Sequence, residues 1–146
     1  MTQEERILKT KEFLEEQINN LDSRGGVLKL GELQETSIKD LENVIFDYPE
    51  LEYYVLENTD SYDVFLRYKS LDTKIDIGKI IESAKEAYIK GKTKASIYKL
   101  LLVLRKASHP KSEVYSLIGL SYISLNEQEK GIDYLRLANY LDGKKD

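Results

Sequence analysis

The stretch Tyr115-Ser-Leu-Ile118-Gly119-Leu-Ser-Tyr122, followed by Gly131, Leu135 and Ala138, decides how the second half of this chain is read. Tyr115, Ile118 and Tyr122 recur at the three-and-four spacing that places side chains on one face of a helix. Gly119 lies among them and removes a side chain where a second helix must come close. The polar run Asn126-Glu-Gln-Glu-Lys130 can carry a reversal, after which Ile132, Leu135 and Ala138 offer the apolar face of a returning helix. Residues 112–142 are therefore expected to form a helical hairpin.

A second, less regular pair precedes it. From Asp76 to about Lys90, the residues Ile77, Ile80, Ile81, Ala84, Ala87 and Tyr88 share one side of a helix. Lys90-Gly-Lys-Thr-Lys94 breaks the pattern, and Ala95 to Ala107 resumes it through Leu100, Leu101, Val103 and Leu104. His109-Pro110 closes the pair. Apolar residues surround nearly all sides of 97–104, which predicts burial on both faces, with the N-terminal half as the expected cover.

The Tyr115-to-Ala138 pattern resembles the tetratricopeptide repeat family. That family's motif runs large apolar, two residues, aliphatic, Gly, two residues, Tyr, then a small residue, an aromatic or aliphatic, and Pro. Residues 112–142 match it well, except that Gly131 stands for the usual Ala and Gly143 for the commonest Pro. Residues 76–110 match as a degenerate repeat, about one repeat length of 34 residues earlier. Their Tyr88-to-Ala95 interval is two residues shorter than Tyr122-to-Gly131. The resemblance implies stacked helical hairpins that hold a protein partner. About three such repeats are usually needed to cover one another's apolar faces. With at most two here, the open faces call for the N-terminal segment, a second copy of the chain, or a partner.

The first 70 residues read differently. Ile7, Leu8, Lys11, Leu14, Ile18 and Leu21 make a helical stripe over 3–21, with Thr2 and Glu5 as a capping box at its start and Arg24-Gly-Gly26 as its stop. Residues 27–35 suit a short strand running into a short helix. Ser37 with Asp40 then opens a helix through Ile38, Leu41, Val44 and Ile45, which Pro49 ends. Two arms rich in aromatic and β-branched residues, Tyr53–Glu57 and Tyr62–Tyr68, flank the turn formers Asn58-Thr-Asp-Ser61, so a β-hairpin is expected. In the second arm Tyr62, Val64, Leu66 and Tyr68 alternate with Asp63, Phe65, Arg67 and Lys69. The order helix, short element, helix, hairpin resembles a winged-helix domain in its coarse arrangement. The whole is expected to be mainly α, with tetratricopeptide-like hairpins over 71–146 and a small acidic α+β segment over 1–70, packed as one compact unit.

Composition narrows the chemistry. The chain has 146 residues, no cysteine and one histidine, which excludes disulfides, thiol catalysis and Cys-bound zinc. His109 has no second His or Cys nearby and reads as a helix-terminal residue. Lys90-Gly-Lys-Thr93 ends like a phosphate loop, but the glycine required five residues earlier is Glu86, so a solvated turn is expected. Glu4-Glu5 and Glu15-Glu16 read as solvated faces. No nucleophile elbow, dinucleotide loop or calcium loop occurs, and neither a cofactor nor a metal nor enzymatic activity is expected. The charged amino terminus lacks a leader-like apolar segment and the longest aliphatic run is Leu100–Leu104, so a cytoplasmic protein without a membrane span is expected.

Charge is unevenly shared. Residues 1–70 hold 8 Lys/Arg against 16 Asp/Glu, and residues 71–146 hold 14 against 10, giving −8 and +4. The candidate reading helix of a winged domain, Ser37 to Asp47, has a net charge of −2, which a nucleic-acid backbone would repel. Lysines 85, 90, 92, 94 and 99 are the only candidate polyanion patch. The resemblance implies a groove lined by the first helix of each pair, which places Glu113, Ser116, Leu120, Ile123 and Ser124 as partner-binding residues. Repeats that clamp a carboxylate tail carry Lys, Asn or Arg where Ser116 and Leu120 stand, so that clamp is not expected. Leu120 and Ile123 instead favour an amphipathic helix or apolar peptide, and they equally suit capping by the chain's own N-terminal half. A non-enzymatic adaptor, chaperone-like factor or regulatory subunit is expected, with another protein or a second copy as its partner. The alternative is a winged-helix-type transcriptional regulator with a tetratricopeptide-like interaction region.

Overall fold

The computed structural model describes residues 2–107 and 112–143, so His109 and Pro110 lie outside the described residues. Among those described it is mainly helical, with six helices and a small three-stranded antiparallel sheet. The chain divides into two compact units, Met1–Lys69 and Ser70–Asp146.

In the first unit, α1 (Gln3–Ile18) opens on Thr2, whose side-chain oxygen accepts the Glu5 amide at 3.2 Å. The cap is the expected one; the helix stops earlier than expected. Asn19 and Asn20 are poor helix formers, and the Asp22 carboxylate takes the Arg24 amide in a local turn, so the chain leaves helical geometry before Arg24. Strand β1 (Leu28–Leu33) feeds directly into α2 (Glu35–Ile45), with Gln34 as its cap. One helix thus replaces the expected short helix plus a second one capped at Ser37. Strands β2 (Leu51–Glu57) and β3 (Tyr62–Tyr68) form the hairpin, closed by the Asn58 amide donating to the Ser61 carbonyl at 2.9 Å. The strand order is β1-β3-β2, with a bulge in β1 between Lys29 and Gly31.

The core of this unit is built from Leu14 of α1, Ile38, Leu41 and Val44 of α2, Leu51 of β2, and Val64 and Leu66 of β3. Each fully buried aliphatic side chain contributes roughly 1.5–3 kcal/mol relative to exposure. Leu8 falls off this face and is 58% exposed. Alternation in β3 does not separate a buried face from a solvated one, because Asp63, Phe65 and Arg67 are buried as well. Arg67 pairs with Glu52 Oε1 at 3.2 Å, and the Tyr54 hydroxyl donates to the same oxygen at 2.8 Å. Tethering of this kind is what permits an arginine to be withdrawn from water.

The second unit consists of two helical hairpins. In the first, α3 (Ile77–Ile89) is capped by the Asp76 carboxylate accepting the Lys79 amide at 3.1 Å, and α4 (Thr93–Lys106) returns. The second pairs α5 (Ser112–Ser124) with α6 (Gln128–Asp142). Residues 70–73 run beside the end of α4, where the Leu71 and Thr73 amides donate to the carbonyls of Arg105 and Lys106. Helices α3 and α5 have the same length and start 35 residues apart. Their turns share one geometry. Gly91 and Asn126 both take positive φ, at 79° and 65°, a region that Gly and Asn enter most readily. The next amides, of Lys92 and Glu127, close onto Ala87 and Tyr122 at 2.8 and 2.9 Å.

This register corrects the sequence alignment of the two pairs. Ala87, not Tyr88, is the counterpart of Tyr122, and Ser96, not Ala95, is the counterpart of Gly131. A β-carbon at Gly119 would sit 2.8 Å from the Gly131 carbonyl oxygen, and one at Gly131 would sit 2.6 Å from the Gly119 oxygen. The two glycines therefore mark a reciprocal backbone approach. At the equivalent place in the first hairpin, the Ser96 hydroxyl donates to the Ala84 carbonyl at 2.7 Å. Around the glycine contact, Tyr134 packs against Tyr115 and Tyr122, with ring centroids 6.2 and 5.6 Å apart. The buried face of α6 runs through Gly131, Tyr134 and Ala138, while Ile132 is turned away and half exposed. Helix α4 is not enclosed on all sides either, since Tyr98 and Leu102 are exposed.

Candidate functional site

Helices α3 and α5 lie close enough for their side chains to meet, with α4 beneath them. At one place, Lys85 Nζ reaches Glu113 Oε1 at 3.0 Å and Glu82 Oε1 at 3.9 Å. The hydrogen bond to Glu113, reinforced by its charge, holds the Lys85 ammonium above its ordinary pKa. At another, the Tyr88 hydroxyl lies 2.7 Å from Ser124 Oγ. Ser124 itself donates to the Leu120 carbonyl at 3.1 Å, so its single proton is engaged and Tyr88 is the donor between the two.

The same helices bound an apolar cavity of about 240 Å³. Lys85, Tyr88 and Ile89 line it from α3, Ser96 and Leu100 from α4, and Leu117, Leu120 and Ser121 from α5. At its mouth Ile89 is 81% exposed, Leu120 49% and Tyr88 40%. Three large apolar or aromatic side chains thus stay in water around a single depression. The buried positions of α3 fall at Ile81, Ala84 and Ala87, and those of α5 at Ser112, Val114, Tyr115, Ile118, Gly119, Ser121 and Tyr122, so these three lie off the buried faces of their helices.

The structure separates the five residues proposed from sequence. Glu113, Leu120 and Ser124 lie on the stripe that faces α3, through the ion pair, the cavity and the Tyr88 contact respectively. At about 100° per residue, Ser116 lies about 40° and Ile123 about 60° from Leu120, on the side away from Leu117. Ser116 is half-buried. Ile123 covers Gly131, where an added β-carbon would meet its Cγ1 at 2.6 Å, so it contacts α6. Sequence reasoning missed Tyr88, Ile89 and Leu117. Setting Gly91 against Asn126 aligns Ile89 with Ser124 and so reaches Ile89; nothing of the kind in the sequence marks Tyr88 or Leu117.

No group of three or more His, Cys, Asp or Glu side chains that could hold a metal ion occurs among the described residues. No helix among them is long and apolar enough to cross a membrane. The chain matches no protein-family model, and comparison with curated proteins and with solved structures likewise yields no match.

Proposed function

We propose that this chain is a non-enzymatic protein-binding module, whose groove between α3 and α5 holds a helix or peptide segment of a partner. The observation that carries this reading is the exposed trio Tyr88, Ile89 and Leu120 around one apolar cavity. Exposed apolar groups gathered at a depression are what a partner's side chain covers, whereas scattered ones need no explanation. The reading is also supported by the repetition of the two hairpins at a 35-residue interval, in keeping with the resemblance to tetratricopeptide repeats. Such hairpins present the first helix of each pair to their ligands. An adaptor, chaperone-like factor or regulatory subunit in the cytoplasm fits this arrangement.

The test is binding by the full chain against the double variant Ile89→Asp plus Leu120→Asp. Both side chains are exposed, so the variant is expected to fold, as far-ultraviolet circular dichroism would verify. Partners recovered by the native chain from its own cell are expected to be lost. An unchanged set of partners on a folded variant would sink the groove.

A regulator with a winged-helix-like first unit is the second reading, supported by the order α1-β1-α2-β2-β3 and the strand order β1-β3-β2. Its weakness is charge, because α2 carries Glu35, Asp40 and Glu42 against Lys39 alone. Retention on duplex DNA that falls steeply with added salt would favour the regulator over the protein-binding module.

A further inference from the structure

Apart from the cavity of the second unit, we infer that the outer edge of β2 accepts an extended, basic segment of a different protein as a further strand of the sheet.

The two edges of this sheet are built differently. In the order β1-β3-β2, both β1 and β2 are outer strands. An outer strand offers a row of backbone donors and acceptors to any extended chain, and proteins blunt such edges with bulges, prolines and lysines. Strand β1 is blunted in this way. It is bulged between Lys29 and Gly31, Gly31 takes a φ of 118°, and Lys29 is exposed. Strand β2 is not. Its seven residues, Leu51-Glu-Tyr-Tyr-Val-Leu-Glu57, keep unbroken register with β3 and include no proline, glycine or lysine.

The ladder fixes which groups face outward. The Lys69 amide donates to the Glu50 carbonyl at 2.8 Å, and the Asn58 amide to the Ser61 carbonyl at 2.9 Å. Bonded pairs alternate along an antiparallel ladder, so Glu52, Tyr54 and Leu56 also bond to β3. Val55 and Glu57 then turn their N–H and C=O groups to the outer edge. Among the described residues no further strand lies there, and neither amide donates elsewhere. An extended segment adds to such an edge through main-chain hydrogen bonds.

Charge selects the segment. At the Glu57 end, an open depression is lined by Glu32, Glu57, Asn58, Thr59, Asp60 and Ser61, with no Lys or Arg among them. Toward the other end, the Glu52 carboxylate is already held by Arg67. The backbone edge sets the form of the ligand, and the carboxylates at one end of it favour Lys or Arg there. A second copy of the chain is disfavoured. Residues 1–70 carry a net charge of −8, and pairing β2 with itself would bring two such units together. It would also set the acidic Glu57 end of each copy against Glu50 and Glu52 of the other.

The experiment is selection on the immobilised full chain from displayed peptides of the length of β2, alternating Val with Thr, Lys or Glu. Lys-rich peptides are expected to dominate and to slow hydrogen exchange at the Val55 and Glu57 amides. Val55→Pro removes an outward donor and leaves the bonds to β3, so retention is expected to fall at least about tenfold. N-methylation of the winning peptide at every second residue, tried in both phases, tests the same ladder without altering the protein. Retention that survives N-methylation in both phases overturns the edge, as does retention unchanged on a folded Val55→Pro protein, or none at all. Loss on Ile89→Asp would place the peptide at the cavity instead and equally overturn the edge. Winners that are neutral or Glu-rich overturn the basic assignment while the edge stands. A dimer of the free chain that Val55→Pro disperses in sedimentation would overturn the choice of a different protein.

Discussion

The two hairpins of the second unit share a turn, a helix length and a 35-residue interval, yet they join their helices differently. In α5–α6 the backbones touch through Gly119 and Gly131, and three tyrosines pack around the contact. In α3–α4 the equivalent residues are Ala84 and Ser96, and a hydroxyl bridges to a carbonyl instead. One turn geometry therefore supports two ways of closing a hairpin, one steric and one by hydrogen bonding. In the first hairpin Tyr88 and Ile89 stay exposed at the mouth of the cavity.

The same substitution in the two hairpins should expose this difference most strongly. Gly131→Ala gains about 1 kcal/mol of helix propensity. Its new β-carbon would meet the Gly119 carbonyl oxygen at 2.6 Å, and a backbone oxygen cannot turn away. Parting the helices would also loosen the tyrosine cluster, and overpacking of this kind costs about 1–3 kcal/mol. The clash is expected to win, with a net loss of about 1–2 kcal/mol in urea denaturation followed by circular dichroism, within that overpacking range. A stabilised Gly131→Ala protein would show that the close approach is not required.

Placed at the equivalent position, the same alanine should do less. Ser96→Ala removes no packing atom beyond the hydroxyl and adds none, so only the bond to the Ala84 carbonyl is lost. That amounts to about 0.5–1.5 kcal/mol, part of it returned by alanine's helix propensity. A loss as large as that of Gly131→Ala would mean that Ser96 holds the hairpin together by more than one bond.

The comparison also explains what the sequence could and could not reveal. The Tyr115–Tyr122 stripe, the Thr2 and Asp76 starts and the Tyr62–Tyr68 strand each follow from local spacing or capping, which a short window contains. Register between the hairpins is not local. Matching Tyr88 to Tyr122 set chemical likeness above turn geometry and displaced the small residue from Ser96 to Ala95. The burial of Arg67 was likewise hidden, since it depends on Glu52 across the strand pair and on Tyr54 beyond it. For the site, Leu120 was legible as an apolar residue on the first helix of the second hairpin. Tyr88 and Ile89 were not, because their role follows from how α3 stands beside α5.

The smallest effect concerns the link between the hairpins, the Lys85–Glu113 ion pair. Both side chains are partly in water, so the pair is screened and its worth is modest. Its pH signature is nevertheless distinct. Glu113 holds the Lys85 proton in the folded protein, so the Lys85 pKa lies above its ordinary value of 10.5. Whatever stability the pair contributes is present in full below pH 10.5 and is lost as pH rises through the raised folded value. Subtracting the stability of Lys85→Met from that of the native chain cancels the titration of the other lysines and tyrosines. The difference is expected to stay flat through neutral pH and then fall above about 10.5, steepening at low salt. A difference that stays flat or climbs as pH rises through and above 10.5 would assign the contact to some group other than the Lys85 ammonium. The two hairpins would then be joined by the Tyr88–Ser124 hydrogen bond and the apolar contacts around the cavity.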